Sequence, residues 1–211
     1  MTAEALRLDH LIVACRDVER GTRYVEELLG VSLVEGGRHP GRGTRNVLLG
    51  LTNGAYLEVV GVDSTQPEPD APRWLGVDDC EEPRLVSWCV KHSCISEVPA
   101  VALSHGIDLG SVTSASRARP DGSLLSWSFT DPRADRMDGV VPFFIDWGAS
   151  PHPSDDLDSV ASLVSVRVQH PQADRIEGLF TELGVDAATE EGVPPGLVAT
   201  LNGPNGIVEL I

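Results

Sequence analysis

The stretch "LRLDHLIVACRDVERGTRYVEELLGV", residues 6–31, decides how the rest of the chain is read. Leu8 to Cys15 has the alternating pattern of a strand. Asp17 stands where a helix N-cap carboxylate accepts from the first free amides. Val18, Thr22, Val25 and Leu28 or Leu29 then recur along one helical face, and Gly30 sits where a helix ends in the left-handed conformation.

The same signature returns twice. "LVSWCVKHSCISEVPAVALSHGI" (85–107) runs strand then helix to Gly106, and "SLVSVRVQHPQADRIEGLFTELGV" (162–185) does so to Gly184. The three helix-ending glycines are 76 and 78 residues apart, a near-constant period that marks an internal repeat. Hairpin signals follow each copy: Asn53-Gly54 ahead of "AYLEVV", Asp121-Gly122 ahead of "SLLSWSFT", and "GLVATLNGPNGIVELI" at the end, with a weakly marked strand around "DAATEE". The unit is strand, helix, three strands. We therefore expect an α+β fold of repeated βαβββ modules, forming a curved, cup-shaped mixed sheet with helices on its convex face. Residues 1–150 hold modules 6–62 and 84–148 with a connection at 63–83, and residues 151–211 hold a third, degenerate copy. The Pro- and acid-rich segments 61–83 and 148–159 read as solvated connections.

Bulk composition excludes several roles. Asp and Glu number 32 against 16 Lys and Arg, a net charge of −16, which argues against nucleic-acid phosphates and anionic lipid as partners. No apolar run reaches the roughly 20 residues a bilayer span needs. The amino terminus lacks a secretory pattern, and Cys15, Cys80, Cys89 and Cys94 form no CxxC pair. The expectation is a cytoplasmic protein with reduced thiols. "CVKHSC" brings His92 between two cysteines but has no second ligand pair for zinc.

Alternation along strands sorts candidate site residues. His10, Ile12 and Ala14 share one face of the first strand, and Leu11, Val13 and Cys15 pack under the helix. Tyr56, Glu58 and Val60 take the cup side of their strand. In "PFFIDW" Phe143, Ile145 and Trp147 share one face, and Phe144 and Asp146 share the other, which we read as the cup side. A carboxylate within an apolar strand is costly to bury unless paired or bound to a cation. His10 and Glu58 together offer imidazole and carboxylate to one divalent ion, a donor mix suited to Fe, Mn, Zn, Ni or Co.

"GGRHPGRGTRNVLLGL" (36–51) leads into a strand rather than a helix, so it lacks the helix N-terminus of a nucleotide phosphate loop. It reads as a turn at the cup rim. His39 and Asn46 are placed to hydrogen-bond a ligand carbonyl or hydroxyl, with Thr44 bracing the turn. Arg45 is the arginine assigned to an anionic ligand group, or to a neighbouring carboxylate. His92, His105, His152 and His170 fall near helix ends or connections, where capping and solvation explain them, and no GxSxG nucleophile motif occurs.

These residues resemble a known family. "LDHLIVACRDVERGTRYVEELLGV" followed by "YLEVVGVD" is similar to the vicinal oxygen chelate superfamily, which includes glyoxalase I, extradiol dioxygenases, and fosfomycin- and bleomycin-resistance proteins. More narrowly, "GGRHPGRGTRNVLLGL" and "VPFFIDWG" resemble a glyoxalase-like group carrying an HPGxGTxN loop. The resemblance covers roughly residues 6 to 150. It implies paired modules and, in metal-dependent members, a divalent cation held from the first and last strands of two modules. His10 and Glu58 match two such positions. Counting back from Gly106 lands on Val86 beside Leu85, and from Gly184 on Val164, none of them a ligand. Asp146 and Glu209 are the remaining last-strand carboxylates. The resemblance thus implies a site of His10, Glu58 and Asp146, with Glu58 and Asp146 handling protons and His39, Arg45, Asn46, Tyr56 and Phe144 contacting a small oxygenated molecule. An enzyme of lyase, isomerase or dioxygenase type, with one divalent metal, is one outcome. A metal-free binding protein is the other, and a homodimer fits either.

Overall fold

The computed structural model describes residues 8–118 and 124–211. The expected turn at Asp121-Gly122, and residues 6 and 7 of the first module, lie outside them. The strand–helix–three-strand order occurs three times. The first run is β1 (Leu8–Ala14), α1 (Val18–Leu29), β2 (Val34–His39), β3 (Thr44–Leu51) and β4 (Ala55–Val62). The second is β5 (Arg84–Lys91), α2 (Val98–Ser104), β6 (Thr113–Ala118), β7 (Leu124–Phe129) and β8 (Phe143–Asp146). The third is β9 (Ser159–Gln169), α3 (Ala173–Leu183), β10 (Ala188–Glu190), β11 (Gly196–Gly203) and β12 (Gly206–Leu210).

Local chemistry sets the module boundaries. Asp17 caps α1 by accepting from the amides of Glu19 and Arg20. The glycines that define the repeat, Gly30, Gly106 and Gly184, have φ of 75°, 71° and 66°, so each helix leaves through the left-handed region that glycine tolerates best. Gly21 serves a different need. A Cβ there would come 2.7 Å from a Val59 methyl, so its absence lets α1 lie directly on β4.

The strand order is β12-β11-β9-β3-β4-β1-β5-β8-β7-β6, with β10 beside β9 and β2 beside β3. Within the first two modules the first strand lies parallel to the last, β1 to β4 and β5 to β8. The two first strands meet antiparallel at the centre. The result is an α+β fold on a mixed sheet. The third module joins through a short β3–β9 pairing, the Ile211 carbonyl accepting from the Leu85 amide at 2.9 Å, and Phe180 of α3 packing edge-on against Trp88.

Alternation divides the buried side chains between the two faces. Leu11, Val13, Leu57, Val59, Trp88 and Phe144 belong to the large core that includes the helices. Ile12, Ala14, Val60, Cys89, Phe143 and Ile145 form a smaller cluster on the opposite face. Phe144 therefore points away from the cup, and the expected facing of β8 is reversed.

The two connections are not solvated spacers. Residues 74–79 form a 3₁₀ turn in which Val77 is buried, and Cys80 is buried just beyond it. Arg73 locks that segment by donating to Glu68, Asp78 and the Gly43 carbonyl. Residues 153–156 make a second 3₁₀ turn, capped by the His152 side chain. Acidic and proline-rich composition hides these roles, because the anchoring contacts come from a few interspersed Trp, Arg and His side chains. Among the described residues no helix is long and apolar enough to cross a membrane, and the four cysteines are unpaired by disulfide.

Candidate active site

A cavity of about 340 Å³ opens on the sheet face away from the helices. The first module supplies its polar wall, with His10, His39, Asn46, Tyr56 and Glu58. The second supplies an apolar wall, chiefly Trp127, Phe129, Phe143, Ile145 and Trp147. Arg38, Arg42 and Trp74 complete the rim together with Pro132 and Pro153.

His10 lies at the centre of the polar wall because β1 is the central strand, flanked by β4 and β5. Its ring stacks on Tyr56 at 4.7 Å and meets the edge of Phe143 at 5.5 Å. Its Nδ1 lies 2.6 Å from Asp9 Oδ1. Asp9 is fully buried and also accepts from Trp147 Nε1 at 2.9 Å and His152 Nε2 at 3.0 Å. Burial alone would raise the Asp9 pKa. The hydrogen bonds and charges of His10 and His152 outweigh it and hold the carboxyl well below the usual carboxylate range. An ionised Asp9 only accepts, so it assigns the His10 proton to Nδ1 and leaves Nε2 facing the cavity.

Glu58, nearly buried, places Oε1 3.8 Å from His10 Nε2. Its other oxygen accepts from Asn46 Nδ2 at 2.6 Å, and the Asn46 carbonyl oxygen accepts from the Gly37 amide at 2.7 Å. A Cβ on Gly36 would collide with that same Asn46 oxygen. The double glycine of "GGRHPG" thus lets backbone close on the amide that orients Glu58. At the rim, Thr44 Oγ1 receives Trp74 Nε1 at 3.1 Å and lies 2.9 Å from His39 Nδ1.

Of the residues singled out from sequence, His10, His39, Asn46, Tyr56 and Glu58 line the cavity. Three do not. Phe144 is fully buried in the helix-side core. Asp146, on the same face of β8, accepts from the Gly148 amide and caps a turn. Arg45 turns outward to Glu19 and Glu35, because alternation from the inward Asn46 leaves it on the other side of β3. Sequence reading missed Asp9, Arg42, Trp74 and His152. The loop signal was present for Arg42, flanked by two glycines, but it did not separate that arginine from Arg45. Counting back from Gly106 does not find the residue opposite His10: β1 and β5 run antiparallel, so a count along equivalent modules does not give the cross-strand partner, which is Cys89.

Two donor sets bear on a metal. Asp9, His10 and Cys89 bring ligand atoms within 4.8 Å of one another. Yet the Asp9 oxygens already accept three N–H groups, and burial pushes the Cys89 thiol up, so it keeps its proton. His10 and Glu58 are close enough to share an ion, but Asp146 lies on the far face and, among the described residues, the second module's wall adds only Ser116 as a side-chain oxygen. Val164 and Glu209 of the third module are exposed. Two protein donors fall short of the three or four usual for a resident transition metal. The described residues do not make such a site.

The model of the glyoxalase-like domain matches residues 8–184. No curated protein matches the chain. Among solved structures, a hypothetical protein from Staphylococcus aureus superposes with a TM-score of 0.63 at 17% identity, covering 90% of this chain and 88% of that one. Methylmalonyl-CoA epimerase from Streptomyces coelicolor matches with a TM-score of 0.44 at 14% identity over 70% of this chain and 98% of that one. The Mycobacterium tuberculosis epimerase matches with a TM-score of 0.41 at 16% identity, over 69% and 89%. The repeated βαβββ order and the family match agree, and the chain belongs to the glyoxalase-like domain family.

Proposed function

We propose that the chain is an enzyme that moves a proton on a small oxygenated molecule held in the cavity, chemistry of isomerase or lyase type. One observation carries this reading: an Asp9-oriented imidazole whose cavity-facing nitrogen lies 3.8 Å from the buried Glu58 carboxylate. His10 Nε2 takes a proton from a carbon next to a carbonyl, or from a hydroxyl. The imidazolium that forms sits between two carboxylates, Asp9 behind it and Glu58 beside it. Asn46 fixes the Glu58 carboxylate, which takes the proton from the His10 imidazolium and, as the carboxylic acid so formed, delivers it to the adjacent substrate atom. Positioned acid–base groups of this kind contribute roughly 10² to 10⁴ in rate. The cavity volume of about 340 Å³ lies at the small end of the roughly 300–1,000 Å³ range of ligand sites, which suits a metabolite-sized molecule. The first two modules, 8–62 and 84–148, supply most of this site, and His152 and Pro153 from the connection to the third module complete it.

Solvent deuterium incorporation, followed by NMR over a panel of small 2-oxo, 3-oxo and 2-hydroxy acids, tests the reading. At least one member should exchange, and His10→Ala and Glu58→Gln should each slow that exchange by about 100-fold or more. No exchange by any member, or exchange that persists in both variants, would overturn it. The aromatic wall favours a second reading, a binding protein without turnover, which predicts tight ligand binding and no exchange. Elemental analysis of tag-free protein addresses the metal. Stoichiometric Fe, Mn, Zn, Ni or Co that is lost in both variants would replace the metal-free mechanism with one of chelation.

A further inference from the structure

The charged residues that line the cavity are Glu58 on its polar wall and Arg38 and Arg42 on the rim. Two cations at the mouth are unexpected in a chain with a net charge of −16. Arg42 is the more unusual. Arg20, Arg45, Arg73 and Arg167 each pair with a carboxylate. Among the described residues, no carboxylate oxygen lies within 4 Å of the Arg42 guanidinium, although Arg42 is half-buried. Its guanidinium instead lies over the Trp74 ring, 4.8 Å from the centroid. Burial and the like charge of Arg133 pull its pKa down, and Asp131 only partly offsets them.

The backbone holds this arrangement firmly. Gly41 and Gly43, with φ of 72° and 63°, flank Arg42, and its amide donates to the His39 carbonyl at 3.0 Å. The Gly43 carbonyl accepts from Arg73 Nε and from the Asp63 amide, both at 3.0 Å, so the connection clamps the turn from outside. A half-buried guanidinium lying over an indole, fixed at the mouth of an apolar cavity, is prepared for a two-point anion contact. Arg38 is a weaker candidate, because it is largely exposed and drawn toward Asp63 at 3.6 Å.

We propose that Arg42 binds an anionic group, a carboxylate or a phosphate monoester, on the molecule that occupies the cavity. The aromatic wall then holds the apolar body of that molecule, and its oxygenated carbon reaches His10 and Glu58. The last step rests on the proton-transfer reading above. The anion site itself does not.

Tryptophan fluorescence titration with 3-phenylpropionate, its neutral amide and phenyl phosphate tests the site. The carboxylate should bind about tenfold or more tightly than the amide, as a charge-assisted two-point contact requires. The ratio of carboxylate to phenyl phosphate affinity tells which anion the site prefers. Arg42→Gln should bring the acid-to-amide ratio close to one, and Arg38→Gln should leave most of it. If Arg42→Gln does not fold by circular dichroism, Arg42→Lys reports instead, and should lose most of the preference with the stacked fork. The ratio in Glu58→Gln should persist, so that deuterium exchange surviving in Glu58→Gln and His10→Ala with anion preference intact would overturn the catalytic reading alone. Equal binding of acid and amide, no binding of either anion at millimolar concentration, or a preference that survives loss of Arg42 would each overturn the proposal and leave Arg42 a cation stacked on Trp74.

Discussion

The first and second modules share a topology and meet across one cavity, yet they bring different materials to it. The first places imidazole, amide, phenol and carboxylate on its wall, and the second places two indoles, two phenyl rings and an isoleucine. Divalent chelation between paired modules needs donors from both walls. Proton transfer needs them from one, with the other giving shape and a low dielectric that strengthens every charge contact. The asymmetry therefore separates a chemical wall from a packing wall. The two are joined by Trp147, whose indole reaches across to Asp9.

The test with the largest expected effect removes that joint. Asp9→Ala leaves three buried N–H groups without their acceptor, and should cost about 3–5 kcal/mol of stability by chemical denaturation. Its counterpart on the packing wall behaves differently. Phe144→Ala should destabilise by about 3–5 kcal/mol through a core cavity, because Phe144 is fully buried. That variant, if folded, should keep the acid-to-amide preference at the rim. Phe143→Ala should weaken binding of both acid and amide alike, since Phe143 lines the site. Equal effects of Phe143→Ala and Phe144→Ala on ligand binding would break the facing assigned to β8.

Acid sensitivity should follow Asp9 as well. Its pKa in the folded chain is held below the unfolded value of about 3.9, so the folded state binds that proton more weakly. The stabilisation is therefore complete above about pH 4 and drains away as pH falls through the unfolded value toward the folded one. Asp9→Asn should be less stable than the native chain at neutral pH. The gap between the two should then narrow on acidification, in denaturation series run from neutral to strongly acidic buffer. A constant gap would mean that Asp9 is already protonated in the fold.

Much of the fold was legible because it rests on local rules. The Asp17 cap, the three left-handed glycines and the period-two strands are read one residue at a time, and each stands where its chemistry requires. The polar wall was legible for the same reason: His10, Tyr56 and Glu58 follow from alternation on strands with clear ends. The other wall was not. "PFFIDW" is apolar at almost every position, so alternation gives two faces without saying which meets the helices. Asp9 was hidden by its neighbour, since a carboxylate at a strand start reads as wet until Trp147 and His152 arrive from 138 and 143 residues away. Those long-range donors carry no periodic signal.

A smaller effect should come from the rim. Gly36→Ala pushes on the Asn46 carbonyl oxygen that holds the Glu58 carboxylate in place. The expected outcome is a loss of exchange activity of roughly tenfold, smaller than for Glu58→Gln, because Asn46 positions the carboxylate rather than replacing it. The melting temperature should fall modestly, because the added Cβ also crowds the Asn46 backbone oxygen and Leu48. A large drop in melting temperature with activity intact would make the double glycine a folding element and free Asn46 from its positioning role.

The smallest expected effect sets Arg45 against Arg42, three residues apart on one loop and strand. Arg45 faces Glu19 and Glu35, two well-exposed carboxylates, so its pairing is screened by water and salt. Arg45→Gln should therefore change stability by no more than about 1 kcal/mol, and less in high salt. It should also leave the acid-to-amide preference untouched, because its side chain lies across β3 from the cavity. A loss of that preference in Arg45→Gln would mean that the outward pairs fix the 39–44 turn, and that the rim cation depends on α1 through Glu19. An unchanged preference leaves Arg42 alone as the arginine that reads the ligand, and explains why one loop can carry a surface ion pair and an anion site without the first neutralising the second.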